Sequence, residues 1–143
     1  MSLSGAYDSD NVFAKILAGE VPAAVIAESE RTVAIMDAFP QTRGHCLVIP
    51  KAASRNLMEM RRKDLSAVMD QVQRVARAVE RALAPAGIVI TQFNGSAAGQ
   101  TVFHTHVHVI PRYADAGAGA HGAGQADMAE LKALAHAIGK EME

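Results

Sequence analysis

The feature that most constrains the fold of this chain is a run of three histidines at alternate positions. His104, His106 and His108 are separated by the single residues Thr105 and Val107. Successive side chains of a strand point to opposite faces, so a β conformation places all three imidazoles on one face. Neighbouring imidazoles then lie about 7 Å apart. The segment is therefore predicted to be a strand with core residues on its other face.

Two kinds of chemistry use histidines in this pattern. Imidazoles at positions i and i+2 can share a metal ion, but zinc normally takes three or four protein ligands. The chain has no Cys-x-x-Cys or His-Glu-x-x-His motif to supply the others. Alternatively, a neutral imidazole can attack a phosphate while its neighbours donate hydrogen bonds to that phosphate.

A loop of small residues precedes the histidines and favours phosphate over metal. It runs from Asn94 to Thr101 and contains Gly95 and Gly99, which permit positive φ and close backbone approach. Its amides, with the Gln100 amide and the Thr101 hydroxyl, can surround an anion. Most loops of this composition are simple turns, so the aligned histidines are what point to a phosphate site.

The composition indicates one soluble domain with a substantial core, because half of the 143 residues are hydrophobic and 20% are charged. The formal net charge of −1 gives no overall attraction to nucleic acid or to an anionic membrane, and neither partner is expected. No apolar run has the length of a membrane span. The single cysteine, Cys46, indicates a reducing, cytoplasmic compartment and is expected to pack as a small hydrophobic residue.

Hydrophobic periodicity predicts an α+β domain with the element order α, β, β, β, α, β, β, α. A short helix starts at a cap on Asp10 and stops at Gly19, and helices cover one face of a mainly antiparallel sheet of about five strands. An unpaired sheet edge is a natural place for a second copy of the chain to bind. The predicted strands and long helix span 24–28, 32–36, 44–49, 64–83 (the helix), 88–94 and 102–111.

The domain is expected to span residues 10–113. Residues 1–9 are predicted to be a disordered leader. The remainder, 114–143, contains a flexible glycine-rich linker at 117–124 and a C-terminal helix over about 126–141 that packs on the same domain. His121 and His136 are expected to be ordinary exposed residues.

The histidine segment resembles the signature of the histidine triad (HIT) superfamily. Residues 99–109, Gly-Gln-Thr-Val-Phe-His-Thr-His-Val-His-Val, match that signature, and residues 44–51 and 10–22 are similar to the N-terminal blocks. The resemblance extends over residues 10–112 and is strongest to the bacterial Hit and Hint-like branch. It implies the HIT-like fold, with a short N-terminal helix, a long central helix and a C-terminal helix.

The resemblance also implies a homodimer, with one sheet continuing across its interface, that binds a purine nucleotide. The implied reaction is attack by His106 on the α-phosphorus of nucleoside phosphoramidates or related nucleotidyl compounds. Water then hydrolyses the nucleotidyl-histidine, His108 contacts the phosphate, and His104 helps to order the strand. A dinucleoside polyphosphate hydrolase and a dimeric nucleotide sensor or adaptor with residual catalysis are the alternatives.

The remaining site residues follow from the same resemblance. Asp37 matches a carboxylate that accepts from ribose hydroxyls, although it is also suited to capping a turn before Pro40. His45 matches a further histidine near the site, or is a buried polar residue with its partners satisfied. Asn94, Gln100 and Thr101 match contacts to the phosphate and the leaving group, Gln100 is also counted as catalytic, and Gly99 belongs to the nucleotide-binding set. Phe13, Ile16 and Ile35 match the apolar walls around the base, although Phe13 and Ile16 are also suited to be core residues of an amphipathic helix.

One departure from the family pattern concerns zinc. Members that hold a structural zinc are expected to have Cys-x-x-Cys at residues 11–14 and a histidine near residues 51–53, where this chain has Asn-Val-Phe-Ala and Lys-Ala-Ala. Only His104 of that ligand set remains. Because one ligand binds zinc poorly, zinc is predicted to be absent and folding to need no metal.

Overall fold

The computed structural model describes residues 3–114 and 124–143, which form a five-stranded antiparallel sheet with helices on both faces. The elements are α1 (Val12–Leu17), β1 (Val25–Glu28), β2 (Thr32–Met36), β3 (Cys46–Pro50), α2 (Arg62–Leu83), β4 (Gly87–Thr91), β5 (Val107–Arg112) and α3 (Met128–Gly139). The strand order is β1-β2-β3-β5-β4, so the predicted α+β class is confirmed. Among the described helices, none is long and apolar enough to span a bilayer.

The main core lies between one face of the sheet and the helices α2 and α3. Buried α2 residues recur at steps of three and four, as an amphipathic helix requires, and α3 adds Leu131, Ala135 and Ile138 to the same cluster. The C-terminal helix thus packs on this domain. The linker predicted at 117–124 lies almost entirely outside the described residues, as does His121, whereas His136 is exposed.

The other face of the sheet carries a second cluster, which corrects the expectation that helices cover one face only. Phe13 of α1 packs there against Val33, Ile35, Leu47 and Ile49. Adjacent residues of a strand face opposite ways, so β2 and β3 supply both cores. A six-residue helix carries too little periodicity to reveal which face it covers.

The first helix begins one residue later than predicted. The Asn11 side-chain oxygen accepts a hydrogen bond from the Ala14 amide at 2.9 Å and caps α1. Asp10 instead donates its own amide to the Asp8 carboxylate. Asn and Asp are almost equally good caps, so propensity does not discriminate between these neighbours.

The predicted strand at 102–111 is wrong over residues 102–106, because β5 begins at Val107. The β3–β5 ladder ends at the pair Val48 and Val107. Pro50, at the end of β3, has no N–H to donate to a longer ladder. Thr105 donates its amide to the Ser54 carbonyl instead, so the first two histidines of the motif lie before the strand, and His104 is part of a bend.

Residues 3–9 lie along the domain, which differs from the disordered leader predicted for 1–9. Tyr7 hydrogen-bonds to His104, and the Asn56 side-chain amide donates to the Leu3 carbonyl. Small and polar residues dominate this segment, and their composition does not reveal such specific contacts.

Candidate active site

A cavity of about 420 Å³ opens between α1, the ends of β2 and β5, and α3. It gathers much of the predicted site although the residues are far apart in the sequence. The His108 side chain lies on the α1 face of the sheet, because His108 pairs with Leu47 of β3. The predicted residues that line the cavity are Phe13, Ile16, Ile35, Asp37, Thr101, His106 and His108.

His106 is held in one tautomer by the backbone. Its Nδ1 lies 2.7 Å from the His104 carbonyl oxygen, which only accepts, so Nδ1 carries the proton. The unprotonated Nε2 therefore carries the lone pair that a nucleophile needs. The Phe13 ring packs edge-on against the imidazole, with 4.8 Å between ring centroids.

His108 is the end of a chain of hydrogen bonds through buried His45. The Gln41 amide donates to His45 Nδ1 at 3.0 Å, which assigns the proton of neutral His45 to Nε2. That nitrogen lies 2.9 Å from His108 Nδ1 and donates to it. Neutral His108 therefore carries its own proton on Nε2, where it is a hydrogen-bond donor. His45 lies behind this donor and does not line the cavity.

His104 is buried behind the site, and both of its ring nitrogens are hydrogen-bonded. Nε2 donates to the Pro50 carbonyl at 2.8 Å, so Nδ1 accepts from the Tyr7 hydroxyl at 2.6 Å. Burial lowers the pKa of His104, with the Pro50 hydrogen bond acting in the opposite direction. These two hydrogen bonds fix the orientation of the imidazole, and because His104 precedes β5, its predicted role in ordering the strand stays a prediction.

Asp37 caps a turn and also lines the cavity. One carboxylate oxygen accepts from the Phe39 amide at 2.8 Å, which caps the turn after β2. The other lies 3.4 Å from His45 Nε2. Asp37 also lines the cavity, and an ionised carboxylate has further acceptor capacity for a ligand hydroxyl.

The side-chain amides of the glycine loop hydrogen-bond within the loop and to neighbouring segments. Gln100 accepts from the Gly95 amide at 2.8 Å and donates to the carbonyls of Arg55 and Val102. Asn94 accepts from the Leu57 amide at 3.0 Å. Of the loop, only Thr101 lines the cavity, so the contacts of Asn94, Gly99 and Gln100 with phosphate stay predictions.

Similarity to known proteins accords with this geometry. The family model described as HIT domain matches residues 18–115. The chain belongs to the HIT domain family. It is 40% identical over 102 residues to Protein hit of Bacillus subtilis, covering 71% of this chain and 70% of that protein. It is 36% identical over 109 residues to adenylylsulfatase HINT3 of Arabidopsis thaliana, covering 76% of this chain and 55% of that protein.

Solved structures confirm the HIT-like fold. A Hit-like protein from Bartonella henselae, described as involved in cell-cycle regulation and crystallised with an unknown ligand, superposes with a TM-score of 0.92 at 38% identity; 96% of this chain and 100% of that chain are covered. A zinc-bound histidine triad family protein from Mycobacterium smegmatis superposes with a TM-score of 0.81 at 35% identity, covering 92% and 94%.

The cavity of this HIT domain has walls that the sequence did not assign to a site. The sequence predicts α3 only as an amphipathic helix. Hydrophobic periodicity shows that one face of a helix is buried, but it does not show which part of the protein covers that face. Val102 follows the predicted Thr101 in the same motif, and the motif could therefore have been used to predict it as a site residue. The lining residues without a predicted site role include Val12, Pro22, Ala24, Phe39, Leu47, Val102, Met128 and Leu131.

One group of side chains in the described ranges has the proximity that a metal site requires. Ligand atoms of Asp37, His45 and His108 lie within 4.8 Å of one another. The hydrogen bond between the two histidines and the carboxylate beside them account for this proximity. A metal ion here would have to displace the proton that His45 Nε2 donates to His108.

Cys46 is placed to be chemically inert, as expected of a small core residue. It is fully buried, its thiol donates to the Gly44 carbonyl at 3.1 Å, and burial raises its pKa, with the charge of Asp37 acting in the same direction. Since the thiolate is the reactive form, we expect a thiol reagent at pH 8 to modify the native protein at least ~100-fold more slowly than the unfolded protein. Absorbance of the released thiol-reagent anion measures both rates, and equal rates would contradict the assigned burial.

Proposed function

We propose that this HIT domain is a nucleotide-binding hydrolase that cleaves at the α-phosphate of nucleoside phosphoramidates or related nucleotidyl compounds. The reaction passes through a covalent nucleotidyl-histidine on His106. The observation that carries the proposal is the hydrogen bond from His106 Nδ1 to the His104 carbonyl, which leaves a lone pair on Nε2 of a residue that lines the cavity.

The proposed reaction has two displacements at one phosphorus atom. In the first, a bond forms between His106 Nε2 and phosphorus as the bond to the leaving nitrogen or oxygen breaks, and the leaving group takes a proton from water. In the second, the oxygen of a water molecule bonds to phosphorus, the N–P bond breaks with its electron pair returning to His106 Nε2, and the attacking water releases one proton to solvent. The nucleoside monophosphate leaves with neutral His106 restored. His108 Nε2–H donates to the phosphoryl oxygens, where charge develops.

The cavity walls support a nucleoside as the bound part of the substrate. Phe13, Ile16 and Ile35 are apolar surfaces for a purine base, and Asp37 is the acceptor proposed for the ribose hydroxyls. A volume of about 420 Å³ lies in the range of small-molecule sites. Similarity to an adenylylsulfatase supports a nucleotidyl compound as the substrate class.

The test is steady-state release of AMP from adenosine 5′-phosphoramidate and, in parallel, from a diadenosine polyphosphate, each with and without a chelator. Faster, chelator-resistant release from the phosphoramidate is the expected result. Faster release from the polyphosphate would instead favour the dinucleoside polyphosphate hydrolase. Binding of AMP without release from either substrate would favour the nucleotide sensor or adaptor.

We further propose that the protein works as a cytoplasmic homodimer joined along β4. This edge strand exposes Val89 and Ile90, at 37% and 42%, whereas α3 packs beside the opposite edge strand, β1. Exposed apolar side chains on an unpaired edge are suited to continuing the sheet into a second copy. The free thiol of Cys46 supports a reducing compartment.

The dimer proposal predicts that Ile90→Glu shifts the protein from twice the chain mass to the chain mass in light scattering after size exclusion. Burying an unpaired carboxylate at an interface costs several kcal/mol, roughly enough to raise the dimer dissociation constant 100-fold. The matched control is Val25→Glu on β1, which is 48% exposed and should leave the mass unchanged. A wild-type protein that elutes at the mass of one chain would contradict the proposal.

A further inference from the structure

We infer that Tyr7 is a positioning residue for the nucleophile, and that the segment 3–9 anchors His104 through hydrogen bonds in place of the zinc expected in family members with the Cys-x-x-Cys pattern. The inference deepens the proposed function and rests on it for its kinetic test. It begins from the Tyr7 hydroxyl, which lies 2.6 Å from His104 Nδ1 and is separated from it by 97 positions in the chain.

The Tyr7 hydrogen bond completes the fixation of the His104 ring. Pro50 holds Nε2 from one side and Tyr7 holds Nδ1 from the other, so the imidazole cannot rotate without losing a buried hydrogen bond. The backbone carbonyl of His104 accepts from His106 Nδ1 at 2.7 Å. Fixing His104 therefore fixes the acceptor that orients the nucleophile and selects its tautomer.

Asn11 directs the Tyr7 hydroxyl. Its Nδ2 donates to the Tyr7 oxygen at 3.0 Å, so the proton of that hydroxyl is left for His104. Asn11 Oδ1 caps α1 at the same time. The helix that this cap starts carries Phe13, whose ring packs edge-on against His106 and, at 6.5 Å between centroids, against His104.

The segment that carries Tyr7 is fixed at further points. The Asn56 side chain donates to the Leu3 carbonyl, and Arg55 donates to the Ala6 carbonyl at 3.4 Å. Leu3 lies against Gly95, and a Cβ atom added to Gly95 would lie 3.2 Å from the Leu3 side chain. Because the Arg55 carbonyl also accepts from Gln100, the segment and the glycine loop share their supports.

The donor set around His104 does not fit the zinc ligand set expected from the family pattern. Ala14 has no ligand atom, Asn11 presents an N–H to Tyr7, and the His104 nitrogen that does not bond to Pro50 accepts from the Tyr7 hydroxyl. In the described ranges, no group of metal-binding side chains includes His104. Zinc and the Tyr7 hydroxyl would compete for the same nitrogen, so this chain uses the hydroxyl.

The kinetic test compares Tyr7→Phe, which removes only the hydroxyl, with Asn11→Asp, which keeps the helix cap but turns a donor to Tyr7 into an acceptor. We expect both to lower kcat for adenosine 5′-phosphoramidate by about tenfold, through loss of alignment, with KM within about twofold. The matched control is Tyr113→Phe, which removes the other tyrosine hydroxyl, bonded to the Arg43 carbonyl on the surface, and should leave kcat unchanged. Unchanged kcat in Tyr7→Phe would overturn the inference.

A second measurement does not depend on turnover. Imidazole ¹H–¹⁵N correlation spectra of ¹⁵N-histidine-labelled protein should show His106 as one Nδ1–H tautomer in the wild type and as a mixture of tautomers in Tyr7→Phe. A His106 signal that is the same in both proteins would refute the positioning role. If the wild type has no hydrolase activity, the proposed function fails, and the spectra still decide the role of Tyr7.

Discussion

Replacing His106 with Asn is expected to lower kcat for release of AMP by about 10⁴-fold or more, because the Asn amide has no lone pair available to attack phosphorus. The Asn Nδ2 can still donate to the His104 carbonyl that now holds His106 Nδ1. The site should therefore keep its shape, and the dissociation constant for AMP should stay within about threefold of the wild-type value. Initial rates and titration calorimetry measure the two quantities.

A matched control separates loss of the nucleophile from loss of a histidine in general. His136 is exposed on α3, outside the cavity, and His136→Asn should turn over at the wild-type rate. If His106→Asn retained a near-native rate, the assignment of the nucleophile would be wrong. If it lost affinity for AMP as well as turnover, His106 would be a binding group rather than the attacking one.

His108→Ala is expected to give the second largest loss, about 10²- to 10³-fold in kcat, because it removes a buried donor aimed at charge that develops on phosphate. KM should rise less than kcat falls, since the hydrogen bond strengthens as the charge grows. Initial rates over a range of phosphoramidate concentrations separate the two effects. A change confined to KM would show that His108 contributes only to substrate binding.

The hydrogen bond from His45 to His108 predicts how the losses of kcat in two variants rank in the same experiment. His45→Leu removes the donor to His108 Nδ1 without changing a residue that lines the cavity, so it should lower kcat less than His108→Ala does. His108 in that variant is free to exchange tautomers and presents a donor only part of the time. A loss in His45→Leu larger than that in His108→Ala would show that His45 has a role beyond this relay.

Much of the fold was predictable because its signals are local. The apolar steps of three and four in α2 and the short, continuous apolar runs of β2 and β3 are local patterns, and each of these elements was found close to its predicted position. The element boundary that differs most from the predictions depends on contacts with residues distant in the sequence. The start of β5 at Val107 follows from Pro50 on the neighbouring strand, a residue 57 positions away.

The candidate site was predictable from the residues themselves only where one motif carries it, whereas Phe13, Ile16, Ile35 and Asp37 were predicted from the resemblance to the HIT superfamily. The segment 104–108 and Thr101 form a continuous pattern with a chemical meaning, whereas Met128 and Leu131 reach the cavity from a helix beyond the linker. Tyr7 illustrates the limit most clearly. A lone tyrosine in a polar segment has no periodicity, and its bond to His104 exists only once the chain has folded.

A rapid-quench reaction of adenosine 5′-phosphoramidate with wild-type protein, analysed by intact mass and by mass mapping of its peptides, shows whether the reaction passes through His106. We expect a transient mass increase of one adenylyl group per active site, located on His106, that forms and decays at rates consistent with turnover. His106→Asn should never carry the group. Turnover without any adenylylated protein, or with the group on another residue, would contradict the covalent mechanism on His106.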